Sequence, residues 1–119
     1  MNNMSLSDHQ FEFLKDVALL IQWVDRRGWK VTGGELHRLP ETQEVLRAKG
    51  LSLTTEGNHP RRLAIDLMLF NEAKFLQDTK DYKELGDFWE SLNPLNRWGG
   101  NFTRLADGVH FERIVYRCR

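Results

Sequence analysis

The most informative pattern in the chain is an apolar run from Leu63 to Phe70 that is interrupted only by Asp66. Polar segments flank the run, and its length is typical of a β-strand with both faces covered. Side chains alternate between the two faces of a strand, so Asp66 shares a face with Ala64 and Met68. A carboxylate in such a strand is costly unless a cation or hydrogen-bond donors meet it. Asp66 is therefore either a structural hydrogen-bond acceptor or part of a functional site.

Three segments with helical periodicity accompany this strand. The first begins with Ser7 as N-cap and Gln10 completing a capping box, and it should end near Gly28. The second opens with Pro40 at its first position and ends at Gly50. The third follows an apolar stripe that is more often core than cofactor site: Tyr82, Leu85, Trp89 and Leu92.

Short strands are predicted at 29–31, 109–111 and 114–116, and a long loop at 95–108. The pair Gly33-Gly34 permits a turn or a close backbone approach. The aromatic residues of the long loop either serve the function or simply pin the loop to the body. These elements predict an α+β fold: one domain over residues 1–119, with a central, mostly antiparallel sheet flanked by about three helices.

Composition limits the possible functions without selecting one. The chain has 119 residues, of which 40% are hydrophobic and 29% charged, as is ordinary for one globular domain. Lys plus Arg and Asp plus Glu both number 17, so we expect no nucleic-acid partner. No apolar segment approaches the length of a membrane span, and the start of the chain lacks the features of a signal peptide. We therefore expect synthesis in the cytoplasm and no stable membrane insertion.

A second polar cluster, Asp107 to Glu112, lies far along the chain from Asp66. In a strand, His110 and Glu112 would point to the same side. His59 precedes the central strand in a Gly-Asn-His-Pro turn, where an isolated histidine is more often merely exposed. A catalytic zinc ion takes three protein ligands and leaves one position for water, and His59, Asp66 and His110 can supply such a set.

Other residues around this candidate zinc site suggest further roles. Asp107, three residues before His110, is in the place expected of a general base for water activated by the metal. Arg38 can stabilise the oxyanion that develops when a carbonyl is attacked. Glu112 either accepts a hydrogen bond from a ligand histidine or is a salt-bridge partner at the strand end.

Taken together, His59-x-x-x-x-Ala64-x-Asp66 and Asp107-x-x-His110 resemble the motifs of the M15 zinc peptidases. That family includes D-alanyl-D-alanine carboxypeptidases and dipeptidases, and the L-alanyl-D-glutamate endopeptidases used as phage endolysins. The resemblance implies a Hedgehog/DD-peptidase-like fold with Zn²⁺ on the sheet face. It also implies that His59, Asp66 and His110 are the metal ligands and that Asp107 is the catalytic base.

The resemblance extends from about Gly33 to Glu112 and adds candidates for substrate binding. Arg38 resembles the family's arginine that precedes a helix and contacts the substrate. Trp98 and Gly99 resemble the loop before the second motif. Arg62 stands where the family usually has glycine. The arginine side chain either crowds the edge of the site or changes its charge. The resemblance thus implies Trp98 and Gly99 as substrate-binding candidates, and the positive charge of Arg62 makes it a further candidate, as a contact for an acidic stem peptide.

The function implied by the resemblance is cleavage of peptidoglycan stem peptides between L-Ala and D-Glu, as in endolysin-type cell-wall lysis. An Asp base, the short chain and the lack of a signal peptide or wall-binding module favour this phage-type enzyme. The alternatives are a D-alanyl-D-alanine carboxypeptidase or dipeptidase, and a non-catalytic binding domain that keeps the zinc fold. We expect a monomer that reaches the wall after release by another factor.

Overall fold

The computed structural model describes residues 4–34 and 61–115 of the chain. Within these ranges, a five-stranded antiparallel sheet packs against two α-helices. The strand order is β1-β2-β5-β4, and β3 pairs with the end of β2. The elements are α1 (Leu6–Arg26), β1 (Lys30–Gly33), β2 (Ala64–Asn71), β3 (Lys74–Phe75), α2 (Lys83–Leu92), β4 (Asn96–Trp98) and β5 (His110–Arg113).

Helix α1 is confirmed, but its N-cap differs from the prediction. Ser5 is the N-cap, and the capping box pairs it with Asp8 instead of pairing Ser7 with Gln10. Ser5 Oγ accepts from the Asp8 backbone N–H at 3.1 Å, and the Asp8 carboxylate accepts from the Ser5 N–H at 3.0 Å. The acidic Asp8 also complements the positive end of the helix dipole better than a neutral glutamine does. The helix ends just before Gly28, which has a φ of 78°.

Strand β2 is the centre of the sheet, as the apolar run predicted. It spans Ala64–Asn71 and pairs with β1 on one side and β5 on the other. Gly34, just after β1, donates its N–H to the Asp66 carbonyl at 2.7 Å, which favours the close backbone approach over the turn as the role of this glycine. A Cβ at Gly34 would lie 3.0 Å from the Asp66 Cβ.

Strand β3 lies between β2 and α2, where no strand was predicted. Glu72 and Ala73 connect it to β2 with φ values of 51° and 66°. Positive φ at both central residues is typical of a type I′ hairpin turn, which normally selects Asn-Gly. Glu-Ala carries no such signal, so the hairpin could not be recognised from the sequence.

Helix α2 carries the third predicted stripe, with Tyr82 contributed by the 3₁₀ turn before it. Strand β4 lies in the predicted loop 95–108, and residues 114–115 after β5 are not in a strand. The predicted second helix, from Pro40 to Gly50, lies outside the described residues. Two of the three predicted helices are therefore observed.

The hydrophobic core lies between the sheet and the two helices. Its largest fully buried members are aromatic, and Trp89 Nε1 donates to the Glu112 carbonyl at 3.0 Å. In the described residues, neither helix is both long and apolar enough to cross a membrane. The core consists mainly of Phe13, Val17, Leu20, Val24, Leu63, Leu67, Leu69, Tyr82, Leu85, Trp89, Trp98 and Phe111.

Candidate active site

The pairing of β2 with β5 brings Asp66 directly opposite His110. Leu67 donates to the Val109 carbonyl at 2.9 Å, so the neighbouring Asp66–His110 pair is a non-hydrogen-bonded pair of the ladder. Side chains approach each other most closely at such pairs. His110 Nδ1 lies 3.4 Å from Asp66 Oδ1. Two residues 44 positions apart in sequence thus meet on one face of the sheet.

Asp107 joins this pair through the turn that leads into β5. Its carbonyl accepts from the His110 N–H at 3.1 Å, and its own N–H donates to the Gly99 carbonyl at 2.9 Å. One potential ligand atom from each of Asp66, Asp107 and His110 lies within 4.8 Å of the others. We call these three residues the acid–histidine cluster.

Gly99 is needed for this arrangement because the backbone approaches too closely for a side chain. A Cβ at Gly99 would lie 2.2 Å from the Asp107 carbonyl oxygen and 2.8 Å from the His110 Cβ. Gly99 therefore acts on the cluster sterically, by permitting its backbone geometry.

Trp98 is a core residue, only 2% exposed. Its indole Nε1 donates to the Gly108 carbonyl at 2.7 Å, and its ring packs where side chains of Gly86 and Gly100 would lie. This burial favours the alternative that Trp98 pins the loop to the body. Its predicted contact with substrate remains a prediction.

His110 is held at both ring nitrogens. Nε2 lies 2.6 Å from Glu112 Oε1, while Nδ1 faces Asp66. Burial alone would lower the pKa of His110, but the hydrogen bonds and charges of Asp66 and Glu112 outweigh burial and raise the pKa to about 9. Without a metal, the imidazole is therefore a cation between carboxylates at neutral pH.

The donor set of the acid–histidine cluster fits a divalent cation. Two carboxylates and one imidazole are oxygen and nitrogen donors of the kind that zinc accepts. Their separations allow one ion to reach all three. The cluster is half-buried at the carboxylates and buried at the histidine.

The remaining predicted residues have different outcomes. His59 and Arg38 lie outside the described residues, so their predicted roles stay predictions. Arg62 is exposed and has a φ of 58°, a left-handed conformation that favours glycine. This conformation explains physically why glycine would suit that position in related proteins.

Comparison with known proteins identifies the family. A model of M15 peptidases, described as D-alanyl-D-alanine carboxypeptidase, matches residues 52–113, which is more than half of the chain. The chain belongs to the M15 peptidase family. The match includes all three residues of the acid–histidine cluster, which is consistent with the metal site of M15 zinc peptidases. Membership favours a peptidase.

A solved structure has a similar fold. The crystal structure of Serratia marcescens L-Ala D-Glu endopeptidase ChiX is similar to this chain with a TM-score of 0.73 and 18% sequence identity. The similarity covers 87% of this chain and 78% of ChiX. At this identity the likeness concerns the fold alone. A comparison with curated protein sequences finds no match to the chain.

Two residues near the acid–histidine cluster had no predicted role. Arg97 Nη2 lies 2.7 Å from Glu112 Oε2, and the Arg97 guanidinium lies 4.7 Å from the centre of the Phe102 ring. The Phe102 ring centre is 5.6 Å from that of His110. No local pattern indicates these contacts, because β4 was not predicted and its register with β5 creates them.

Proposed function

We propose that this M15 protein is a zinc-dependent peptidase that cleaves peptidoglycan stem peptides between L-Ala and D-Glu. The observation that carries the proposal is the acid–histidine cluster, in which Asp66, Asp107 and His110 meet within 4.8 Å. Family membership supports the peptidase chemistry. The ChiX-like fold and the aspartate at position 107, which resembles the endopeptidase branch, support this bond over others.

In the proposed reaction, Asp66 and His110 would hold the zinc ion together with His59. Bound zinc supplies a Lewis acid that polarises a peptide carbonyl and makes water more acidic. Asp107 takes a proton from the attacking water at a carboxylate oxygen and delivers it to the departing amine. Arg38 donates hydrogen bonds to the carbonyl oxygen as negative charge develops there.

The second candidate is a D-alanyl-D-alanine carboxypeptidase, which is the description of the matching family model. Both reactions need the same metal and base, so only the products distinguish them. A newly exposed L-Ala carboxyl after digestion of purified peptidoglycan, detected by mass spectrometry, supports the first candidate. Released D-Ala supports the second. An intact substrate contradicts both and favours a binding domain.

The role of Asp107 is tested by Asp107→Asn, with Asp87→Asn as the matched control. Asp87 is exposed on α2 and pairs with Lys83, away from the cluster. We expect Asp107→Asn to keep zinc and lose activity by at least about 100-fold, as is typical for loss of a general base. Asp87→Asn should keep both. Zinc analysis showing that Asp107→Asn has lost the metal would make Asp107 a ligand instead.

How the protein reaches the cell wall belongs to the same proposal. We propose that it acts as a monomer on the wall after another factor releases it, as an endolysin would. Comparing lysis of intact cells with lysis of permeabilised cells measures this dependence. Equal lysis of both would contradict it.

A further inference from the structure

We propose that Glu112, braced by Arg97, is a positioning residue that holds His110 with its Nδ1 turned toward the metal cluster. The proposal deepens the proposed function and rests on it for the presence of the metal. It decides between the two interpretations of Glu112 that the sequence left open.

The first support is the division of contacts between the two oxygens of Glu112. Oε1 lies 2.6 Å from His110 Nε2, whereas Oε2 accepts from Arg97 Nε at 3.0 Å and pairs with Arg97 Nη2 at 2.7 Å. One carboxylate oxygen of Glu112 therefore contacts the histidine, and the arginine binds the other oxygen. A carboxylate that fixes one ring nitrogen leaves the opposite nitrogen as the one available to a metal.

The second support is burial. The Glu112 side chain is 6% exposed, while that of Arg97 is 48% exposed. An ordinary strand-end salt bridge joins two exposed side chains and contributes little. A buried carboxylate instead needs partners on both oxygens, and His110 and Arg97 supply them.

The third support is the sheet register, which makes these contacts a property of the fold. Glu112 lies opposite Arg97 in β4 and opposite Ala64 in β2. His110 lies two residues along β5, on the same face. Because the Ala64 side chain is small, Glu112 and its partners have room on this face of the sheet.

Phe102 completes the arrangement around the histidine. Its ring lies between the Arg97 guanidinium, at 4.7 Å, and the His110 ring, at 5.6 Å between centroids. The cation–π contact restrains the arginine, and the ring contact limits rotation of the imidazole. His110 is thus held both by a hydrogen bond and by packing.

The test compares Glu112→Gln and Arg97→Gln with the matched control Glu90→Gln. Glu90 braces the same loop by accepting from the Trp98 N–H and the Asn101 amide, and neither of these hydrogen bonds involves His110. Zinc affinity is measured by competition with a chromophoric chelator. We expect Glu112→Gln to bind zinc about 10- to 100-fold more weakly, Arg97→Gln to change in the same direction by less, and Glu90→Gln to stay within twofold of wild type.

A second measurement tests the contact between Glu112 and His110 in the absence of metal. In the metal-free protein, the His110 Nε2–H proton should give a low-field NMR signal that is protected from exchange by its bond to Glu112. Glu112→Gln should shift or lose this signal, and Glu90→Gln should keep it. Circular dichroism checks that each variant is folded, and Arg97→Gln, altered at a half-exposed side chain, provides the test if Glu112→Gln does not fold.

Zinc affinity unchanged in both Glu112→Gln and Arg97→Gln would overturn the proposal. An equal loss in Glu90→Gln would overturn it too, because loosening of the loop would then explain the effect. A wild-type protein that binds no zinc contradicts the proposed function instead. The ring proton alone then decides whether Glu112 holds His110.

Discussion

Replacing Gly99 with alanine should disturb the acid–histidine cluster without adding or removing any functional group. The new Cβ would lie 2.2 Å from the Asp107 carbonyl oxygen, whereas ordinary contacts begin near 3.4 Å. The Asp107 backbone must therefore retreat by about 1 Å, and overpacking of this size costs about 1–3 kcal/mol. The bond from the Asp107 N–H to the Gly99 carbonyl, 2.9 Å long, would weaken and contribute about 1 kcal/mol more.

The expected result is a loss of about 2–4 kcal/mol in the free energy of unfolding, or a decrease in Tm of roughly 10 °C for a domain of this size. Displacement of Asp107 and His110 should also lower zinc affinity and peptidase activity by about tenfold or more. Urea unfolding and chelator competition measure the two effects.

The matched control is Gly33→Ala, because a Cβ at Gly33 would meet nothing within 4 Å. This variant should have nearly wild-type stability and zinc affinity. If Gly99→Ala behaved like Gly33→Ala, the steric account of Gly99 would be refuted. A loss of activity with full stability and zinc affinity would point instead to the predicted contact of Gly99 with substrate.

Two further predictions concern stability. Ala73→Gly should raise the free energy of unfolding in urea by about 0.5–1 kcal/mol, because φ at Ala73 is 66°; an unchanged or lower value would contradict a strained hairpin turn. His9 has a lowered pKa because of its burial and the nearby Arg113 charge, so the folded state binds its proton less readily than the unfolded chain. Stability relative to His9→Gln should therefore fall as the pH drops below about 6.5 and level off beneath the folded-state pKa; a pH-independent difference would refute this assignment.

The parts of the fold that follow from local patterns could be predicted from the sequence. The continuous apolar run identified β2, the alternation of side chains in a strand put Asp66 and Ala64 on one face, and helical periodicity identified α1 and α2. Two elements without a local signature were missed. The β2–β3 turn has Glu-Ala where hairpin turns favour Asn-Gly, and β4 has only three residues within a segment rich in turn residues.

For the acid–histidine cluster, the sequence predicted the residues but not how they come together. Asp66 was identified as a carboxylate within an apolar run, and Asp107 and His110 as part of a second polar cluster. Their meeting depends on a register between β2 and β5 that no local pattern encodes. The same holds for Glu112. Alternation along β5 put it on the face of His110, whereas its pairing with Arg97 depends on the register between β5 and β4.

Residues that act by being small are the hardest to recognise. Gly99 permits the Asp107 turn, and Gly86 and Gly100 accept the Trp98 ring, although none of them carries a reactive group. These glycines leave room for a neighbouring backbone or ring. This role can be recognised only once the positions of the neighbouring backbone and ring are known. The residues of this cluster could therefore be named from the sequence, whereas its geometry depends on strand register and on the absence of side chains at a few positions.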